Sequence, residues 1–263
     1  MDLGLEGKVA LVAAASRGLG RAIAEELASE GASLVICARD EARLHETRDA
    51  IARDTGAEVR AVAADLATAD GVARVADEAL AAFGRVDVLV TNTGGPPSGP
   101  FEEHDWARWQ GAVDLLLRSS IELTRRVLPG MKERRWGRIL AVTSIAAKQP
   151  VASLVLSNSV RAAVTGAMRT LATEMAPHGI TVNTILPGYT RTERVEELDA
   201  ANAAREGLPV DAVRQRTIAQ IPMGRLGEPR EFAALAAFLA SERASYITGQ
   251  AVAVDGGWIR SLL

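Results

Sequence analysis

The stretch 13-AAASRGLG-20 joins a short apolar run, 8-KVALVAA-14, to the helix-period segment 18-GLGRAIAEELASEG-31. Small residues at such a turn let the backbone approach a pyrophosphate, and the helix start offers unpaired N–H groups and a favourable dipole. Ala14, Ser16, Arg17, Gly18, Leu19 and Gly20 are therefore candidate phosphate-binding positions. The second apolar run ends at Ala38-Arg39 rather than at an acid. A carboxylate there would accept bonds from a ribose 2′-hydroxyl and repel a 2′-phosphate, whereas Arg39 with Arg17 can clamp that phosphate. NADP is expected over NAD. Asp65-Leu66 and Asn92-Thr93-Gly94 close the third and fourth runs, where an adenosine would be framed.

The elements that must hold these residues follow from periodicity. Seven short apolar runs read as strands: 8-KVALVAA-14, 33-SLVICA-38, 58-EVRAVAA-64, 86-VDVLVTN-92, 137-GRILAVTS-144, 180-ITVNTILP-187 and 250-QAVAVDGG-257. Segments of helical period lie between them, and 18–31 and 71–84 each end in a glycine suited to a helix C-terminus. Parallel neighbours need a crossover long enough to hold a helix, so the pattern predicts a doubly wound α/β sheet with ligands beyond the carboxyl strand ends. One Rossmann-type domain over 1–263 is expected, with strand order 3-2-1-4-5-6-7 and a charged helical lid at 193–220.

Composition narrows the partners. With 263 residues the chain can bury about three-quarters of its unfolded surface. A net charge of −3 leaves no overall electrostatic attraction to nucleic acid or an anionic membrane, so a small-molecule partner is expected. The single cysteine, Cys37, lies in an apolar run and reads as a buried strand thiol. That fits a reducing compartment, and with no leader-like segment at the N-terminus a cytoplasmic location is expected. His45, His104 and His178 lie in polar contexts without ligand spacing, so they read as surface residues and no metal is expected. Loop 94-GGPPSGPF-101, with Trp106 and Trp109, suggests an apolar pocket wall or ordinary helix packing.

Together these stretches resemble the classical short-chain dehydrogenase/reductase family, in particular its 3-oxoacyl-ACP reductase-like members. The resemblance covers essentially the whole chain, through 13-AAASRGLG-20, 91-TNTG-94, 137-GRILAVTS-144, 186-LPGYTRT-192, 222-PMGRLGEPREFAALAAFLASERASYITGQ-250 and 254-VDGG-257. It implies oxidoreduction of a carbonyl or alcohol with a nicotinamide cofactor and a homotetrameric assembly. Pro187, Gly188, Thr190 and Thr192 match the stretch that contacts the nicotinamide end.

Four positions depart from the family pattern. The first loop glycine is Ala14, and the helix-borne asparagine of the family's proton relay corresponds to Asp114, an acceptor-only carboxylate. The family's serine matches Ser144, but its tyrosine and lysine, thirteen and seventeen residues on, correspond to Ser157 and Arg161. A serine alcohol is far less acidic than a phenol of pKa about 10, and arginine stays protonated. Arg161 then bonds the cofactor ribose and supplies charge. Tyr189, or a water held by Ser144 and Ser157, is the candidate proton source. Two other readings stand beside this one. The loss of tyrosine and lysine together suits a cofactor-binding pseudoenzyme or regulatory subunit, and arginine at the lysine position suits chemistry like that of halohydrin dehalogenases.

Overall fold

Each apolar run forms a strand: Val9–Ala13 (β1), Ser33–Ala38 (β2), Val59–Ala63 (β3), Val88–Thr91 (β4), Gly137–Val142 (β5), Ile180–Pro187 (β6) and Ala251–Val254 (β7). The structure is a computed structural model and describes residues 2–262. All seven strands are parallel and lie in the expected order, β3-β2-β1-β4-β5-β6-β7. In β1, Val12 is paired with Ile36 on one side and Val90 on the other. Its residues alternate between the two faces: Ala10 and Val12 enter one core layer, Leu11 and Ala13 the other. Because both faces are covered, the strands read as unbroken apolar runs rather than alternating ones.

The covering helices are Gly18–Ser29 (α1), Glu41–Thr55 (α2), Ala69–Phe83 (α3), Trp106–Ala112 (α4), Ser119–Arg134 (α5), Val155–Met175 (α6), Glu193–Glu206 (α7), Val210–Ala219 (α8) and Pro229–Ala240 (α9). Ile23 of α1 and Phe232 of α9 enter one layer; Val75 of α3, Val127 of α5 and Met168 of α6 enter the other. Each such side chain, when fully buried, contributes about 1.5–3 kcal/mol. α3 stops where the glycine spacing predicts, with Gly84 in the left-handed region at φ 69° and its N–H donating to the Leu80 carbonyl.

The order of strands reverses between β1 and β4, which opens a crevice at their carboxyl ends. The insertion expected at 193–220 consists of α7 and α8, broken at Gly207 (φ 66°) and held together by Arg214 Nε on Asp199 Oδ2 at 3.2 Å. A π-helical turn, Val113–Arg118, separates α4 from α5.

One local expectation is corrected, and one choice between two readings is decided. His104 is buried rather than on the surface, with Nε2 3.3 Å from the Gly99 carbonyl oxygen, because the loop around Gly99 folds over it. Neither tryptophan lines the crevice: Trp106 is exposed, and Trp109 meets Phe101 edge to face at 6.4 Å between ring centroids. Cys37 is fully buried as expected, and burial pushes its thiol up to about 12. No group of His, Cys, Asp or Glu side chains arranged to hold a metal occurs among the described residues.

Candidate active site

The crevice is a cavity of about 840 Å³ at the carboxyl ends of the strands, within the size range of small-molecule and cofactor sites. The glycine-rich turn forms its floor on the β1 side. Ala14 follows β1 at φ 50°, a left-handed conformation that an L-residue adopts only at a cost of about 1–2 kcal/mol. Arg17 precedes α1 without a side-chain cap, and the N–H groups of Gly18, Leu19 and Gly20 find no acceptor among the described residues. Ser16, Arg17, Gly18 and Leu19 line the cavity. Gly20 stands behind them: a Cβ there would lie 2.2 Å from the Ala14 carbonyl oxygen and 2.9 Å from Asn92 Nδ2. Glycine at this position lets the helix start pack directly on the turn and on the end of β4.

Arg39 lines the same end of the cavity as Arg17. A third arginine joins them that the sequence reading missed. Arg43 lies one helical turn beyond Arg39, in the first turn of α2, where Asp40 Oδ1 accepts its backbone N–H at 3.1 Å and fixes the helix start. Three guanidinium groups and three unpaired helix N–H groups suit a dinucleotide carrying a pyrophosphate and a further phosphate. Asp65 and Leu66 after β3, and Asn92, Thr93 and Gly94 after β4, complete this half of the wall.

The other half begins after β5. Ser144 lines the cavity and its Oγ accepts the Ala146 N–H at 3.1 Å, which fixes the hydroxyl at the strand end. The start of α6 is held from behind: Asn158 Nδ2 donates to the Val151 carbonyl at 3.0 Å, and its Oδ1 accepts the Val151 N–H at 3.3 Å. Leu156 and Val160 on the adjoining face pack with Ala112 and Leu116, which turns Ser157 and Arg161 into the cavity. Both are buried, at 7% and 9% exposure. Arg161 Nη1 donates to the Val142 carbonyl at 3.0 Å, and this guanidinium has no carboxylate partner among the described residues. Burial, and then the charge of Arg194, lowers its pKa to about 10.

From β6 the chain runs through Pro187 and Gly188, whose N–H donates to the Val254 carbonyl at 2.9 Å. A Cβ at Gly188 would lie 2.6 Å from the Asp255 Cα, so only glycine lets this segment sit against the end of β7. Thr190 and Thr192 line the cavity beside them. Tyr189 does too, its ring meeting Trp258 edge to face at 5.8 Å. Burial raises the pKa of its phenol, and the charge of Asp199 raises it further.

Asp114 is the one predicted catalytic residue that stands outside this wall. It lies in the π-helical turn with its carboxylate 3.3 Å from Arg118 Nη1, while its neighbour Leu115 lines the cavity. The sequence reading also missed Arg194, in the first turn of α7, which donates from Nη2 to the Pro96 carbonyl at 2.8 Å across the cavity mouth. Nothing in the charged stretch that carries it separates it from its solvated neighbours.

Comparison with known proteins agrees with this architecture. Residues 13–259 match a family model described as enoyl-(acyl carrier protein) reductase. The chain is 36% identical over 255 residues to the 3-oxoacyl-[acyl-carrier-protein] reductase of Vibrio cholerae, covering 97% of this chain and 98% of that protein. Among solved structures it is similar to the L-sorbose reductase of Gluconobacter frateurii in complex with NADPH and L-sorbose, with a TM-score of 0.94, 36% identity and complete coverage of both chains. It is also similar to an actinorhodin polyketide ketoreductase with NADPH, with a TM-score of 0.92, 31% identity, and 97% and 98% coverage. A glycine-rich turn after β1, a serine after β5 and a matched length of nearly the whole chain make this protein a member of the classical short-chain dehydrogenase/reductase family, similar to its 3-oxoacyl-ACP reductases.

Proposed function

We propose that the protein is an NADP(H)-dependent oxidoreductase that interconverts a small-molecule carbonyl and its alcohol. The observation that carries this reading is that Arg17, Arg39 and Arg43 line one end of the same cavity that holds Ser144, Ser157 and Arg161 at the other. The arginines and the start of α1 hold the phosphates. Pro187, Gly188, Thr190 and Thr192 flank the nicotinamide end, and Arg161 bonds the adjoining ribose. NADPH supplies the hydride when bound.

Ser144 and Ser157 orient the substrate oxygen, and a water held between the two hydroxyls delivers the proton. Tyr189 serves as wall rather than acid, its ring packed edge to face against Trp258. Orientation and electrostatic stabilisation contribute several kcal/mol toward a transition state without a strong general acid. Slow turnover follows from that arrangement. α7 and α8 act as a lid, an idea supported by ion pairs from Glu197 to Arg17 (3.7 Å) and from Glu193 to Arg43 (3.6 Å). Homotetrameric assembly and a cytoplasmic location complete the reading. No helix among the described residues is long and apolar enough to cross a membrane.

Titration with NADPH, followed by stopped-flow oxidation against a panel of ketones, tests the proposal. Saturable binding with slow NADPH consumption is expected. Tight binding with no turnover of any ketone would instead favour a cofactor-binding pseudoenzyme, the reading that the joint loss of tyrosine and lysine supports. Failure to bind NADPH would reject both.

A further inference from the structure

Arg161 is a buried cation whose only hydrogen-bond acceptor among the described residues is the neutral carbonyl of Val142. Its Nε and Nη2 have no hydrogen-bond partner among the described residues. The charged group that most affects it is another cation, Arg194, which reaches in from α7. Arg194 is fixed by the Pro96 carbonyl, and its guanidinium lies so close over Gly95 that a Cβ there would be 2.6 Å from Nε and Nη2. Both arginines line the one cavity. The nearest carboxylate to Arg194, Glu197, sits at 3.4 Å on the exposed side and is also 3.7 Å from Arg17. Among the described residues no acid reaches Arg161.

Two guanidinium groups facing one cavity, one of them on a residue only 9% exposed, are unfavourable unless an anion stands between them. The cofactor's phosphates do not meet this need, because the phosphate cradle lies after β1 and β2 whereas Arg161 lies on α6 beside β5. The nicotinamide ribose is neutral. The arginine fork matches a carboxylate, which it can bind through two parallel N–H bonds. Ser157, one helical turn from Arg161, presents its hydroxyl to the same space.

We propose that Arg161 and Arg194 form an anion subsite for the carboxylate of a small oxo acid or hydroxy acid, placed so that its reacting oxygen meets Ser144 and Ser157. This deepens the oxidoreductase reading by naming its substrate class, and it distinguishes a free acid from a neutral thioester or ketone.

Calorimetric titration with malonate, against its neutral isostere malonamide, reads the subsite without turnover. The expected result is that malonate binds at least tenfold more tightly than malonamide, with or without saturating NADP⁺. Arg194→Gln lowers malonate affinity at least tenfold while leaving NADPH affinity within about threefold, and Arg161→Gln lowers malonate affinity further. Arg194 is partly exposed, so its variant keeps the fold. Equal binding of malonate and malonamide, no binding of either, or loss of malonate binding in saturating NADP⁺ would each overturn the proposal. If malonate binds as expected but NADPH does not bind, the subsite stands and the cofactor reading fails.

Discussion

Arg161 Nη1 and the Val142 carbonyl oxygen lie 3.0 Å apart, which ties the first turns of α6 to the end of β5 and holds a cation at the wall of the cavity. The bond satisfies one donor of five. The remainder of the guanidinium is held for a ligand, so this position trades stability for binding.

That trade is measurable. The pKa of Arg161 lies at about 10 in the folded chain against an ordinary 12.5, so the unfolded chain holds the proton more tightly. The cation therefore weakens the fold at every pH below 10, and the penalty fades as pH rises from 10 toward 12.5. Arg161→Met removes the buried charge while keeping an unbranched side chain. Urea unfolding of the ligand-free protein at pH 7 is expected to show a gain of about 1–3 kcal/mol, with weaker NADPH binding. A loss of stability would mean that the Val142 bond outweighs the desolvation.

Cofactor choice rests on the arginines after β2. Arg39→Asp places a carboxylate where a 2′-phosphate would lie, and is expected to weaken NADPH at least tenfold while leaving NADH within about threefold, read by fluorescence titration. Parallel losses for both cofactors would place Arg39 elsewhere on the nucleotide. Arg43 lines the same end of the cavity and should moderate the effect, so the double variant with Arg43→Ala discriminates more sharply.

Ala14 offers a test of the turn itself. At φ 50° its methyl group opposes a conformation that glycine adopts freely. Ala14→Gly should raise thermal stability by about 0.5–1 kcal/mol, since relief of the left-handed strain exceeds the added entropy of the unfolded chain. An unchanged or lowered melting temperature would show that the surrounding hydrogen bonds already relax the turn.

The sheet was legible because parallel strands buried on both faces give runs such as 33-SLVICA-38 that match β2 residue for residue. The glycine-rich turn was legible because its small residues answer a steric demand, which Gly20 against the Ala14 carbonyl makes explicit. Arg194 was not legible. Its importance comes from the Pro96 carbonyl, 98 positions away in sequence, and no local pattern encodes that meeting. His104 was misread for a similar reason: its polar neighbours 102-EEHD-105 suggest solvent, but the Gly99 loop covers it. Ser157 and Arg161 were found only through the family resemblance, as the positions where its tyrosine and lysine would stand, yet the burial that makes Arg161 costly arises from packing around α6.

The sharpest test restores what the family has at these two positions. Ser157→Tyr with Arg161→Lys supplies a phenol on the cavity face of α6 and, one turn on, a cation able to lower its pKa. A positioned general acid contributes about 10²- to 10⁴-fold to a proton-coupled step. NADPH-driven reduction of whichever ketone the native protein turns over is expected to accelerate by about 10²-fold, the lower end of that range, because Asp114 is turned toward Arg118 and cannot complete the family's relay. Ser157→Tyr alone should give less, since the buried guanidinium stays tied to Val142. If the double variant binds NADPH normally but is no faster, proton delivery does not limit the native reaction, and its slow step lies in substrate placement or lid movement. A further gain on adding Asp114→Asn would assign the remaining deficit to the relay.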